Sequence, residues 1–361
     1  MDLRWGYIPL MRFVAIVWLT MSSYSLASTP VSGTIETSTW STANSPYIIS
    51  DTLHIPPGAT LTIEPGVDVI GTSNASMIVD GTLIATGTEI DSIRFLPDSN
   101  AGNPEWHGIR FSGGNSSLIA YARISGAASS TDPDYSDGHG AVVVNGFGTE
   151  LRLEHSVLTD NTVYPSVVMS GGGGALSVTD GGNLKLTSCV IARNTSAQSG
   201  GGIYANDGIL TLDSCRVISN TSQGHGGGLY SYQSDITFTN SEFIGNEATG
   251  STGSAIGGGA IHTDQSTLAM LNVGISGNEA PFGGGVDFRA GSAEFIECQF
   301  MGNLAANNGG ALFASELYYP SHIRLVDCVF EDNIAGSTPP AENVGYGGAI
   351  SAVGRSGNGD E

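Results

Sequence analysis

From about residue 138 onward, one arrangement of apolar and polar positions recurs along the chain. A glycine cluster leads into a short apolar stretch, a second alternating stretch follows, and an asparagine closes the unit. The clusters precede Ala141, Ala175, Ile203, Leu229, Ala260, Val286, Ala311 and Ala349. The closing residues are Asn161, Asn194, Asn220, Asn246, Asn278, Asn303 and Asn333, at successive spacings of 33, 26, 26, 32, 25 and 30. A floor near 25 with excursions to 33 fits a coil of fixed length that carries loop insertions.

Aligning the units on these asparagines exposes the pattern. Three positions earlier stand Leu158, Ile191, Val217, Phe243, Ile275, Phe300 and Phe330. Eight and ten positions earlier stand Leu153/Leu151, Leu186/Leu184, Leu212/Leu210, Phe238/Ile236, Met270/Leu268, Phe295/Ala293 and Leu325/Ile323, all apolar. In a chain that is 40% hydrophobic, chance gives this about once in 10⁵–10⁶ trials before the choice of frame is discounted.

Apolar residues two apart mean strands with one buried face. A unit of this size cannot bury that face alone. Parallel stacking in register buries all the faces in one column. The pattern therefore predicts an all-β, single-domain, right-handed parallel β-helix. Its hand follows the crossover preference of parallel strands. Roughly twelve coils, about 4.8 Å apart, would make a rod about 55 Å long.

Residues 28–130 are read as an N-terminal cap followed by less regular coils. Leu61-Thr-Ile63, Val67-Asp-Val69, Gly81-Thr-Leu83-Ile-Ala85 and Ile93-Arg-Phe95 are short alternating strands there, punctuated by Gly58, Pro65-Gly66, Gly71 and Gly87. Residues 131–350 carry the regular repeats, and 351–361 form a polar tail. The turn asparagines have a structural reason: Asn tolerates the left-handed conformation, and amides stacked in register can bond one another. The glycines read as tight turns or close backbone approaches.

Residues 1–27 read differently. Arg4 and Arg12 precede the apolar run Phe13-Val-Ala-Ile-Val-Trp-Leu19, and Ser25-Leu26-Ala27 is a small-x-small cleavage site. That order predicts a secretory signal peptide, since so short a run cannot cross about 30 Å of hydrocarbon. No later stretch is long and apolar enough to do so. The expectation is a chain secreted from a bacterium or held at its surface.

Composition narrows the function classes. Twelve Lys and Arg stand against 34 Asp and Glu, for a formal charge of −22. This excludes a basic nucleic-acid binder. The apolar content argues against an acidic disordered chain, and clustered rather than periodic glycines exclude collagen.

The stretches Thr60-Leu-Thr-Ile-Glu-Pro-Gly-Val67, Gly81-Thr-Leu83 and Trp106-His-Gly-Ile-Arg-Phe111 resemble the opening coils of pectin-lyase-like β-helix proteins. The second half resembles the polymorphic outer membrane protein repeats of chlamydiae and other bacteria. It carries Gly173-Gly-Ala-Leu176, Gly258-Gly-Ala-Ile261, Gly309-Gly-Ala-Leu312 and Gly347-Gly-Ala-Ile350. It also carries Phe243-Ile-Gly-Asn246, Phe300-Met-Gly-Asn303 and Phe330-Glu-Asp-Asn333. The resemblance covers nearly all of the chain after residue 27. It implies a fold more than an activity, because one fold hosts many functions. Members of the outer-membrane family end in a β-barrel translocator. Residues 351–361 do not read as barrel strands, so the expectation is a free secreted protein or part of a longer one.

Candidate chemistry is sparse. Cys189, Cys215, Cys298 and Cys328 all fall five residues before a turn asparagine, a slot that elsewhere holds Ser156, Ser241 and Val273. Periodicity turns this slot inward and predicts a buried ladder of small side chains. The alternative is two disulfides, Cys189–Cys215 and Cys298–Cys328, which an exported protein permits but parallel Cβ vectors disfavour. The spacings do not suit zinc.

The segment Asp132-Pro-Asp134-Tyr-Ser-Asp137-Gly-His139 reads as a solvated insertion. Its alternative is a Ca²⁺ loop using Asp132, Asp134 and Asp137, and no other cofactor is expected. The resemblance brings in polysaccharide lyases, which use carboxylate-bound Ca²⁺ and an Arg or Lys base. Hydrolases need a carboxylate pair about 5–9 Å apart. Neither Asp213, Glu297, Glu150 and Glu154 nor Arg193, Arg216, Arg289 and Arg324 form a convincing outward set. The reading is a non-catalytic adhesive, binding or structural surface protein, with a polysaccharide or cell-surface ligand as partner. Tyr230, Tyr232, Tyr318 and Tyr319 are its candidate contacts. The alternative is an extracellular polysaccharide lyase or glycoside hydrolase.

Overall fold

A computed structural model describes residues 28–99, 106–129, 139–165, 171–250, 256–315, 321–336 and 347–353. The predicted signal peptide, the acidic residues 132, 134 and 137, and Tyr318 and Tyr319 lie outside them. Every strand pairing among the described residues is parallel, and the chain winds repeatedly through three faces.

One complete coil shows the plan. Ile203–Asn206 lies on face three, Ile209–Asp213 on face one, and Arg216–Ile218 on face two. The two-residue strand Thr221–Ser222 then leads back to face three at Leu229–Tyr232. Face one is a sheet of eleven strands from Ser38–Trp40 to Ser321–Val326. Face two stacks twelve strands among the described residues, from Thr29–Thr34 to Val329–Glu331, in line with the expected coil number. Coil length varies: Ile84 and Leu118 are stacked partners although the chain between them is longer than a regular coil. The nine-residue strand Tyr47–Ile55 pairs with Asp68–Gly71 through its first part and with Ser76–Val79 through its second. It thereby joins faces two and three into one sheet.

Inward positions follow the apolar register. Leu186, Leu212 and Phe238 are direct stacking partners, each buried. Leu158, Ile191, Val217, Phe243, Ile275 and Phe300 make the second column, all fully buried. Phe330 is half-buried and Leu325 exposed, since no described strand stacks beyond Ser321–Val326 on face one or Val329–Glu331 on face two. Between the columns run the small side chains Ser156, Cys189, Cys215, Ser241, Val273 and Cys298, all buried. The alternative of disulfides Cys189–Cys215 and Cys298–Cys328 is corrected: all four cysteines are free thiols. Side chains stacked in parallel point the same way, and each sulfur instead contacts the carbonyl two residues back at 3.3–3.4 Å.

The seven asparagines form a continuous ladder. Each Nδ2 donates to Oδ1 of the next asparagine at 2.8–3.0 Å through the six steps from Asn161 to Asn333. The left-handed turn expected of them sits one residue earlier, at Asp160, Arg193, Ser219, Gly245, Gly277, Gly302 and Asp332, with φ between 51° and 61°. The asparagines turn inward to bond, and their predecessors turn the chain.

A glycine cluster, Gly-Gly-Ala in four coils, leads the chain back onto face three. Gly258 has φ of +78°, and a Cβ on Gly259 would lie 2.3 Å from the carbonyl oxygen of Gly284 in the next coil. No larger residue fits there.

Candidate functional site

Among the described residues, face three carries a column of large polar and aromatic outward side chains that the strands place in register. Its direct partners are Ser177, Tyr204, Tyr230, His262, Asp287 and Phe313. The strands alternate, so Ile203, Leu229, Ile261 and Val286 go inward and these residues go outward. They are nonetheless covered. Asp287 and His262 are 0% and 2% exposed, and Tyr204 and Tyr230 are half-buried. Tyr230 and Tyr232, expected as exposed contacts, are both half-buried, because the glycine-rich return loops fold over this face.

The rings stack up the column. Tyr204 and Tyr230 are 5.2 Å apart and near-parallel, and Tyr230 and His262 follow at 5.3 Å. His225, from a return loop, tilts against His262 at 4.3 Å. Nδ1 of His262 is 2.8 Å from Oδ2 of Asp287, and Arg289 donates to the same oxygen through Nε at 3.2 Å and Nη2 at 3.1 Å. The amide of Gly257 donates to Nδ1 of His225 at 3.3 Å.

Electrostatics follow from this burial. Burial holds the His225 imidazole down to about 3, helped by His262 and Arg289. Burial pushes the Tyr230 and Tyr204 hydroxyls up. Burial opposes ionisation of Asp287, yet His262 and Arg289 outweigh it and keep the carboxyl below its usual range. Perturbed groups gathered in one place mark a functional candidate.

Arg289 differs in its partner from Arg193, Arg216 and Arg324. Those three do pair with exposed acids, Asp160, Glu242 and Glu294. Arg289 instead meets a fully buried one. Glu150 pairs with Lys185 at 2.8 Å, and Asp213 takes hydrogen bonds from Thr239 and Asn240. The histidines escaped notice because they are contributed one per coil. For His262 the available clue was its slot, one residue after the apolar position that follows the glycine cluster, whereas His225 precedes its cluster and carries no such mark.

A second feature lies at the corner between faces one and two. Tyr121 and His155 occupy the same left-handed turn position in successive coils, with φ of 49° and 47°. Their rings stack at 4.7 Å and 14°. The next residue in that column, Ser188, is too small to cover the outer face of His155. An open groove of about 610 Å³ runs here, lined among others by Thr88, Glu89, Ser92, Tyr121, Arg123 and His155.

Residues 103–300 match the family model for the right handed beta helix region, which is more than half of the chain. The chain belongs to the right-handed β-helix family. Both features above fall largely within this match, and its hand is the one predicted. Residues 297–315 also match the Chlamydia polymorphic membrane protein repeat. They span the Phe300-to-Asn303 turn and Gly309-Gly-Ala-Leu312. No curated protein matches the chain.

Proposed function

We propose that this β-helix is a bacterial surface or outer-membrane protein that binds a polysaccharide without cleaving it. A right-handed β-helix carrying a polymorphic membrane protein repeat points to a surface protein. The observation that carries the ligand class is the Tyr121–His155 stack in its open groove. A sugar offers an apolar face that packs on an aromatic ring and a rim of hydroxyls that need partners. The groove supplies the ring faces, with Glu89 and Arg123 beside Thr88, Ser92 and Ser188 as hydrogen-bonding groups. Its volume lies in the range of small-ligand sites.

The test pairs binding with turnover. The full chain is titrated with a polysaccharide panel, and the mixtures are assayed for reducing ends and unsaturated products with and without Ca²⁺. Binding without product is expected. Tyr121→Asn removes the ring but tolerates the left-handed turn, so it should weaken binding about tenfold with the fold intact. Product formation that disappears with a single carboxylate variant would replace binding by catalysis.

A further inference from the structure

The cluster on face three has a property that the groove reading does not use. His225, His262 and Asp287 each offer a ligand atom, and these atoms lie within 4.8 Å of one another. Oδ2 of Asp287 is engaged by His262 and Arg289, but Oδ1 is buried with no hydrogen-bond partner among the described residues. A buried carboxylate oxygen left unmatched is costly. A rod has no need of it, since the same column is filled elsewhere by Ser177, Tyr204, Tyr230 and Phe313.

We propose that His225, His262 and Asp287 form a binding site for a first-row divalent transition ion of the zinc type. Two imidazoles and one carboxylate suit such an ion. Calcium wants six to eight oxygens, and this set offers one carboxylate. Zinc–ligand bonds near 2.0–2.2 Å require donors closer than 4.8 Å, so one side chain must close in. His225 is the group free to do so. It is half-buried on a return loop, and its contact with the Gly257 amide is long at 3.3 Å. Arg289 stays on Oδ2 as an outer partner that orients the carboxylate.

The probe is Zn²⁺ itself, added to the full chain after dialysis against a chelator, with Ca²⁺ as control. Calorimetry should show one ion per chain, and Zn²⁺ should raise the melting temperature where Ca²⁺ does not. His225→Gln should weaken Zn²⁺ binding at least tenfold while moving the metal-free melting temperature by about a degree or less. Asp287→Asn should abolish binding, whatever its effect on folding, and His225→Gln keeps the test decisive if that variant does not fold. Absence of stoichiometric Zn²⁺ binding, equal stabilisation by Ca²⁺, or unchanged affinity in His225→Gln would overturn the assignment. The polysaccharide titration is independent, because Tyr121→Asn leaves this cluster untouched.

Discussion

Removing one rung from the middle of the asparagine ladder tests the physics of the fold directly. Asn220 is fully buried. Its Nδ2 donates to Oδ1 of Asn246 at 3.0 Å and to the carbonyl of Ile191 at 3.0 Å. Its Oδ1 accepts from the backbone and the side chain of Asn194, at 3.0 and 2.9 Å. Asn220→Ala deletes all four bonds and leaves two donors of Asn194 facing a small hole. Each orphaned buried group costs about 1–3 kcal/mol, so a loss of about 3–5 kcal/mol is expected. Asn333 is the control. It accepts the same two bonds from Asn303 but is half-buried, so water reaches the broken partners. Asn333→Ala should cost about 1 kcal/mol. Guanidinium denaturation followed by far-ultraviolet circular dichroism measures both, and hydrogen exchange at the Asn194 amide reports the local loss. The reasoning fails if Asn220→Ala stays within about 0.5 kcal/mol of the parent, as an ordinary surface substitution does. It fails equally if the two variants cost the same.

The thiols and one ion pair give two further outcomes. Burial pushes the Cys298 thiol up to about 11, and Cys189 is raised as well, chiefly through its contact with Cys215. A thiol-reactive dye at pH 8 should therefore leave Cys189 and Cys298 unreactive in the folded chain and reach all four cysteines only after denaturation. Hydrogen bonding from Arg193 holds Asp160 below the usual carboxylate range. Its stabilising effect is complete above the unfolded-state value and is lost as pH falls through the lowered folded-state value. The pair is largely exposed and screened by solvent, so Arg193→Ala should lower the denaturation midpoint only slightly at neutral pH and not at all once the carboxylate is protonated, read from denaturation curves across acidic pH.

Legibility in the sequence tracked repetition. Leu186, Leu212 and Phe238 declared one column because inward slots are filled alike in every coil. The asparagines declared another for the same reason. The left-handed turn beside each asparagine did not, because Asp160, Arg193, Ser219 and Gly245 share a conformation and no chemistry. The face-three cluster stayed hidden for a related reason. His225, His262 and Asp287 come from successive coils, each replacing a different residue type, and no linear motif joins them. Tyr121 and His155 meet by stacking across a whole turn of the solenoid, a contact visible only once register is known.

The ladder has one more consequence, for how such chains change over time. Each amide between Asn161 and Asn333 meets an identical amide above and below, so the spine is indifferent to which coil neighbours which. Excising or duplicating a whole unit would leave it seamless. Individuality resides in the outer column, where Tyr230, His262 and Asp287 each tolerate only their own neighbours. Length is thus free to drift by whole units wherever the spine alone is at stake, while the stretch from Tyr204 to Arg289 is pinned as an indivisible block.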